Sequence, residues 1–442
     1  MANARKTALT ALVKIDVEQA YSNIALNNAI KNSQLNAIDS SFCSALVYGV
    51  LERKITIDYI ISQYSKIQIN KINKTVLNIL RLGIYQIIFM DKVPNSAAVN
   101  ESVKLARLKK QDNATGFING ILRNLTRAKN PIKLPDKSNM LQHLSIKYSF
   151  PESIINLWIK EYGQEITLDI LKSIEGRPPI AIRVNTTLCT KEKLMNRLTD
   201  KDIEIEEVPF LEDALWVSHT GSIEDLEEFK RGLFFVQDTA SQLLCKIANP
   251  KKNQVVTDVC AAPGGKTFNL SVLLNNTGKI YSYDLFDHKI ELIRKTAKRL
   301  KLKNIECKVR DAQKSKNGEK SNVVLCDVPC SGLGIIRRKP EIRYKEDLGV
   351  DTLPKIQYEI LCNSKHLVAK GGILIYSTCT LNRAENNDIA KKFLAQNKDF
   401  IKQKISLPKE IKRTIKEEDN EITLFPFENN TDGFYISVFK KV

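Results

Sequence analysis

The sequence predicts a multidomain protein: an all-α helical bundle in front, a small α+β unit in the middle, and an α/β Rossmann-like domain with a mostly parallel sheet behind. Three observations predict it. Apolar residues recur with helical spacing through residues 1–130, residues 131–140 ("PIKLPDKSNM") carry two prolines and no periodicity, and from about residue 231 strand-like runs alternate with amphipathic ones. A chain of 442 residues is also too long for one ordinary core and suggests two or three.

The front is clearest in "KINKTVLNILRLGIYQIIFM". Ile72, Val76, Leu80, Ile84 and Ile88 recur every four residues, with Leu77 and Ile87 widening the stripe, and Lys92-Val93-Pro94 ends it. Further helices are expected in "AAVNESVKLARLKK" and "ATGFINGILRNLTRAK", so residues 1–135 form a bundle. Residues 141–230 are mixed: "PIAIRVNT" and "ALWVSH" read as strands and "KEKLMNRLTD" as a short helix. In residues 231–442 the strands are "QVVTDV", "KIYSYD", "IECKVR", "NVVLCD" and "GGILIYST". The helices between them are "HKIELIRKTAKRL", "LPKIQYEILCNSKHLVAK" and "AENNDIAKKFLA", the pattern of a parallel sheet covered on both faces. A last strand, "GFYISVFKK", is expected at an antiparallel edge.

Composition narrows the function classes. The longest apolar run, Phe42 to Leu51, is about half of the roughly 20 residues that a membrane span needs. No membrane partner is expected. The first residues lack an apolar signal core, and nine cysteines without regular spacing fit a reducing cytoplasm. Net charge is +18, and residues 1–130 hold 18 basic against 8 acidic side chains. That surplus attracts a polyanion, nucleic acid first of all.

The chemistry is expected at the strand ends of the last domain. The first strand ends in Asp258 and runs through Cys260, Ala261, Ala262, Pro263, Gly264, Gly265 and Lys266, small residues whose backbone N–H groups can approach a ligand closely. Asp284 follows 20 residues after Gly264, where a nucleoside site keeps a carboxylate for ribose hydroxyls. The loop lacks both the G-x-G-x-x-G and the phosphate-cradle spacing. Asp258, Asp284, Asp311 and Asp327 would instead ring the site with negative charge, which repels a pyrophosphate and suits S-adenosylmethionine, a cation at both sulfonium and ammonium.

Two thiols, Cys330 in "DVPCSG" and Cys379 in "STCTLN", also end strand-like runs. A pyrimidine has no nucleophilic carbon at C5 until a soft nucleophile adds to C6, and a thiolate is well suited to add and later leave. A second group must then handle protons, a task open to the other thiol. Zinc is the competing explanation for the cysteines, but Cys326 and Cys330 have no matching pair and His366 falls within a helix, so no metal is expected.

The segments "DVCAAPGGKT", "YSYD", "VRDAQ", "DVPCSGLGIIRRKPEIRY" and "GGILIYSTCTLNRAENN", in that order, resemble the RNA cytosine-C5 methyltransferases of the Fmu/Sun/NOL class. The front, with "RLGIYQIIFMDKVPNSAAVNESVKLA" and "GFINGILRN", resembles the antitermination factor NusB, and the pairing is similar to bacterial 16S ribosomal RNA methyltransferases. The resemblance implies a class I methyltransferase fold, with cofactor along Cys260 to Lys266, Asp284 on its ribose, Asp311 near its adenine and Asp327 between cofactor and base. It also implies Cys379 as the nucleophile and Cys330 as the aid to product release. The implied substrate is one cytosine of 16S rRNA in an unfolded or partly assembled small subunit, and the protein a monomer. Thr380 and Lys339 depart from the family, which more often has serine and histidine there.

Arg337, Arg338 and Lys339 follow the Pro-Cys loop and are expected to hold RNA phosphates, with Arg183 a weaker candidate. Three alternatives remain: an RNA cytosine-C5 methyltransferase of the same class acting on another rRNA or tRNA site, a non-enzymatic NusB-like RNA-binding or antitermination protein, and an NAD-linked oxidoreductase on the same sheet.

Overall fold

The computed structural model describes residues 3–18, 20–176, 178–345 and 347–442. It comprises two compact units, one of residues 1–175 with 338–346 and one of residues 176–337 with 347–442.

In the first unit, helices Ala4–Glu18, Ser22–Ser33, Ala37–Glu52, Lys54–Tyr64, Lys74–Phe89, Asn95–Leu108 and Thr115–Arg127 form the expected bundle. Leu9, Leu46, Ile57, Leu80, Ile84 and Leu122 are fully buried in its core. The helix Lys74–Phe89 is more enclosed than its apolar stripe implies, because Asn78, Arg81 and Gln86 are buried too. Burial of Arg81 is offset by two carboxylates. Its Nε and Nη2 each donate to Asp58 at 2.7 Å, and Asp16 accepts from Arg81, from Asn78 at 3.0 Å and from Lys54 at 2.6 Å.

Helices Met140–Tyr148 and Glu152–Ser173, expected with the middle unit that begins at residue 141, pack on this one: Thr56 Oγ1 donates to the Ile146 carbonyl, Ile55 N donates to Ser149 Oγ at 2.9 Å, and Trp158 packs its buried ring 5.6 Å from Phe150. The "KPEIRY" segment is likewise built into the helical unit. Arg343 is buried with its guanidinium 4.0 Å from the Phe150 ring, donating to the Ser149 carbonyl at 3.0 Å, and the Tyr344 hydroxyl donates to the Leu51 carbonyl at 2.6 Å.

The second unit opens with a small antiparallel sheet of β1 (Ile180–Val184), β2 (Glu204–Glu207), β3 (Ala214–Ser218) and β4 (Phe234–Val236), in the order β2-β3-β1-β4. Strand β4 lies past residue 231, yet it pairs with β1, so the small sheet extends into the region assigned to the last domain. The large sheet follows as β5 (Val255–Asp258), β6 (Lys279–Asp284), β7 (Ile305–Val309), β8 (Ser321–Asp327), β9 (Val368–Thr378), β10 (Phe400–Lys402), β11 (Glu421–Leu424) and β12 (Phe434–Lys441). Its order is β10-β12-β9-β8-β5-β6-β7, with β11 also on β12. Strands β9, β8, β5, β6 and β7 are parallel. Strand β12 is antiparallel as expected, but it is interior, since β10 and β11 both pair with it. Strand β9 begins at Val368, so "VAK", expected in a helix, is extended.

This topology positions the site. The chain runs from β5 outward to β7, then returns to β8 on the other side of β5, which places the switch point between β5 and β8. All five parallel strands deliver their carboxyl ends to one edge.

Candidate active site

The loop after β5 turns tightly: Gly264 N donates to the Ala261 carbonyl at 2.7 Å, and helix Gly265–Leu273 starts at once. Gly264 has φ +106°, and a Cβ there would fall 2.4 Å from the Phe268 ring. Only glycine fits both conditions. Cys260, in the same loop, is a thiol that burial pushes well above its ordinary range, which suits a packing role.

The four aspartates end neighbouring strands in the order Asp327, Asp258, Asp284, Asp311. Asp284 accepts from Ala262 N at 3.2 Å and Phe286 N at 3.3 Å, with Lys289 Nζ at 3.6 Å. Asp311 accepts from Gln313 N at 3.0 Å and meets Lys314 at 3.3 Å, so it also caps its own turn. Asp258 is fully buried, accepts from Thr267 Oγ1 at 2.8 Å, and has one oxygen, Oδ1, with no hydrogen-bond partner among the described residues. Burial, with the Asp327 charge nearby, raises its carboxyl to about 7. A cationic nucleoside would satisfy that oxygen and favour its ionised form, so the donor set fits S-adenosylmethionine.

Lys266, expected along the cofactor loop, is a bridge to the last aspartate. Its Nζ lies 2.6 Å from Asp327 Oδ2, while Ser377 Oγ donates to Asp327 Oδ1 at 2.9 Å. Burial alone would lower the ammonium, but the Asp327 carboxylate more than reverses this and holds it above its ordinary value.

The two thiols meet. In the register of β8 and β9, Asp327 is opposite Ser377, so Cys330 and Cys379 leave adjacent strand ends, and their Sγ atoms lie 3.1 Å apart. Neither forms a disulfide. The hydrogen bond to Cys379, followed by burial and by the charges of Cys379 and Glu385, pushes the Cys330 thiol well above its ordinary range. These surroundings favour the protonated form of Cys330. Sequence reasoning missed Ser377, Ser331, Gln357 and Glu385, which hold these loops. The sequence signal was their position within one to six residues of Cys330 or Cys379, and Gln357 lacked even that.

The expected RNA contacts fare unevenly. Arg183 is buried at 6% exposure, its Nη2 3.1 Å from Asp213, so it is a paired side chain within the small sheet and not a surface contact. Arg337, half-buried, donates to Asn430 at 3.0 Å within the second unit. Arg338 and Lys339 lie in the helical unit, where the Lys339 ammonium sits 5.6 Å from the Tyr21 ring. All three are half-buried, and they are divided between the two units. Among the described residues no cluster of His, Cys, Asp and Glu could hold a metal, and no helix is long and apolar enough to cross a membrane.

Residues 245–440 match the family described as 16S rRNA methyltransferase RsmB/F, residues 2–127 the NusB family, and residues 150–224 the ferredoxin-like domain of RsmF/B-like methyltransferases. A Bacillus subtilis protein named probable ribosomal RNA small subunit methyltransferase B is 34% identical over 446 residues, covering 99% of each chain. The chain belongs to that family. A Synechocystis protein of the same name is 32% identical over the whole of both chains. The crystal structure of PH0851 shares the fold at a TM-score of 0.84, with 24% identity over 99% of each chain. The protein is accordingly an rRNA methyltransferase with S-adenosylmethionine as cofactor. The NAD-linked and non-enzymatic readings fall away.

Proposed function

We propose that the enzyme methylates C5 of one cytosine in 16S ribosomal RNA, through a covalent bond between Cys379 and C6 of the base. The observation that carries this reading is the pair of thiols, 3.1 Å apart, on the strand-end edge that also presents the four aspartates. The cofactor supplies an electrophilic methyl group on its sulfonium.

In this reading the thiolate of Cys379 forms a bond to C6, and the C5=C6 electron pair moves to C5, where it takes the methyl. After a base removes the C5 proton, the ring double bond re-forms and the S–C6 bond breaks, returning the electron pair to sulfur. A departing thiolate is helped by a donor at its side. Cys330, held protonated and within reach of the Cys379 sulfur, supplies that donor. In the same reading Asp327, held by Lys266 and Ser377, accepts a hydrogen bond from the base edge. The target must be unstacked to reach the site, so a loop or flipped base of a partly assembled small subunit is the substrate, met in the cytoplasm by a monomer.

The test is methylation of 16S rRNA by the purified protein with labelled cofactor, followed by mapping of C5-methylcytosine. One cytosine should gain the label. Methyl on another atom, or no transfer to any rRNA preparation, contradicts the proposal.

A further inference from the structure

Glu385 is fully buried, and its side-chain hydrogen bonds go to groups other than the two sulfurs. Its carboxylate accepts four hydrogen bonds: from Ser331 N at 2.9 Å, Ser331 Oγ at 2.5 Å, Gln357 Nε2 at 2.8 Å and Asn382 Nδ2 at 3.0 Å. Ser331 is the residue after Cys330. Since the single Ser331 hydroxyl proton goes to Glu385, the Ser331···Thr380 hydroxyl contact at 2.7 Å must have Thr380 as donor. Thr380 is the residue after Cys379. Gln357 also donates to the Pro329 carbonyl at 3.0 Å, on the other side of Cys330. One carboxylate thus ties the residues flanking one thiol to those flanking the other.

We propose that Glu385 is a positioning residue for the two-thiol reaction: its carboxylate locks the Cys330 loop to the Cys379 loop, so that Cys330 stays within reach of the sulfur that leaves. This rests on the covalent reading given above. The clamp explains why four donors converge on one buried acid where an apolar contact would fill the same space without the desolvation cost of a carboxylate. Its negative charge also works in the direction already described for Cys330, favouring the protonated thiol. The two cysteines then differ in role because of what lies behind them, since both end parallel strands in similar loops.

Glu385→Gln keeps the shape and removes the charge, and it turns an N–H₂ toward donors that expect an acceptor. With the full-length chain and an RNA fragment containing the target cytosine, the decay of the covalent protein–RNA adduct is followed on a denaturing gel, beside Cys330→Ala. The Glu385→Gln adduct should decay about tenfold or more slowly than wild type, with the cofactor dissociation constant unchanged. Alkylation of Cys330, read by peptide mass spectrometry, should shift its midpoint to lower pH. Ser331→Ala leaves the charge but cuts the link to Thr380, and should slow adduct decay without moving the alkylation profile. Wild-type adduct decay and a wild-type alkylation profile in Glu385→Gln overturn the proposal. If that variant does not fold, wild-type adduct decay in Ser331→Ala overturns it. Should Cys330→Ala itself accumulate no adduct, the covalent reading fails first, and the failure is visible as such on the same gel.

Discussion

The ammonium of Lys266 stands 2.6 Å from the Asp327 carboxylate, joining the loop after β5 to the end of β8 across the switch point of the sheet. This bridge fixes the carboxylate that the proposed reaction sets against the base. It also neutralises one of the four carboxylates on that edge.

Removing one partner strands the other. Lys266→Ala should destabilise the fold by about 2 kcal/mol, less than for a wholly buried pair because both side chains keep some exposure, and should cost well over tenfold in methyl transfer. In Lys266→Met with Asp327→Asn, stability should recover and activity should not. Thermal unfolding and initial rates on all three variants test this.

Asp258 makes stability depend on pH. Its folded value of about 7 lies above the ordinary 3.8, so between these values the folded state holds a proton that the unfolded state has lost. Without cofactor, stability is therefore highest below the lower value and falls as pH rises toward 7, by as much as about 4 kcal/mol. Asp258→Asn should flatten that slope in melting curves taken from pH 5 to 8. Cofactor affinity of the wild type should rise over the same range, because the cation favours ionised Asp258.

Gly264→Ala would place a side chain where φ is +106° and the Phe268 ring is 2.4 Å away. The expected loss is about 1–3 kcal/mol in stability, with weaker cofactor binding by calorimetry.

In the helical unit, Arg81→Ala would leave Asp16 and Asp58 facing each other with less positive charge between them. A loss of about 3–5 kcal/mol is expected, read from chemical denaturation followed by helical signal. The same variant should leave the cofactor dissociation constant unchanged.

The sequence carried the site better than the boundaries. Asp258, Asp284, Asp327, Cys330 and Cys379 all follow apolar runs closed by small or turn-forming residues, and a parallel sheet aligns such positions automatically, so their neighbourhood was legible. The clamp was not. Gln357 comes from a helix in the middle of the chain, and only the packing of that helix brings it to Pro329 and Glu385. Arg183 shows the converse: a basic side chain looks like a surface phosphate contact in sequence, and only a tertiary partner, Asp213, shows that it is buried. The fate of 140–175 was hidden for a similar reason, since amphipathic helices do not announce which neighbour their apolar face will meet.

The most direct test of the two-thiol account is a denaturing gel of Cys379→Ala and Cys330→Ala after incubation with cofactor and target RNA. The account predicts no adduct and no methyl transfer for a folded Cys379→Ala, and an accumulating covalent protein–RNA band for Cys330→Ala. A stable adduct in Cys379→Ala, with none in Cys330→Ala, would contradict it.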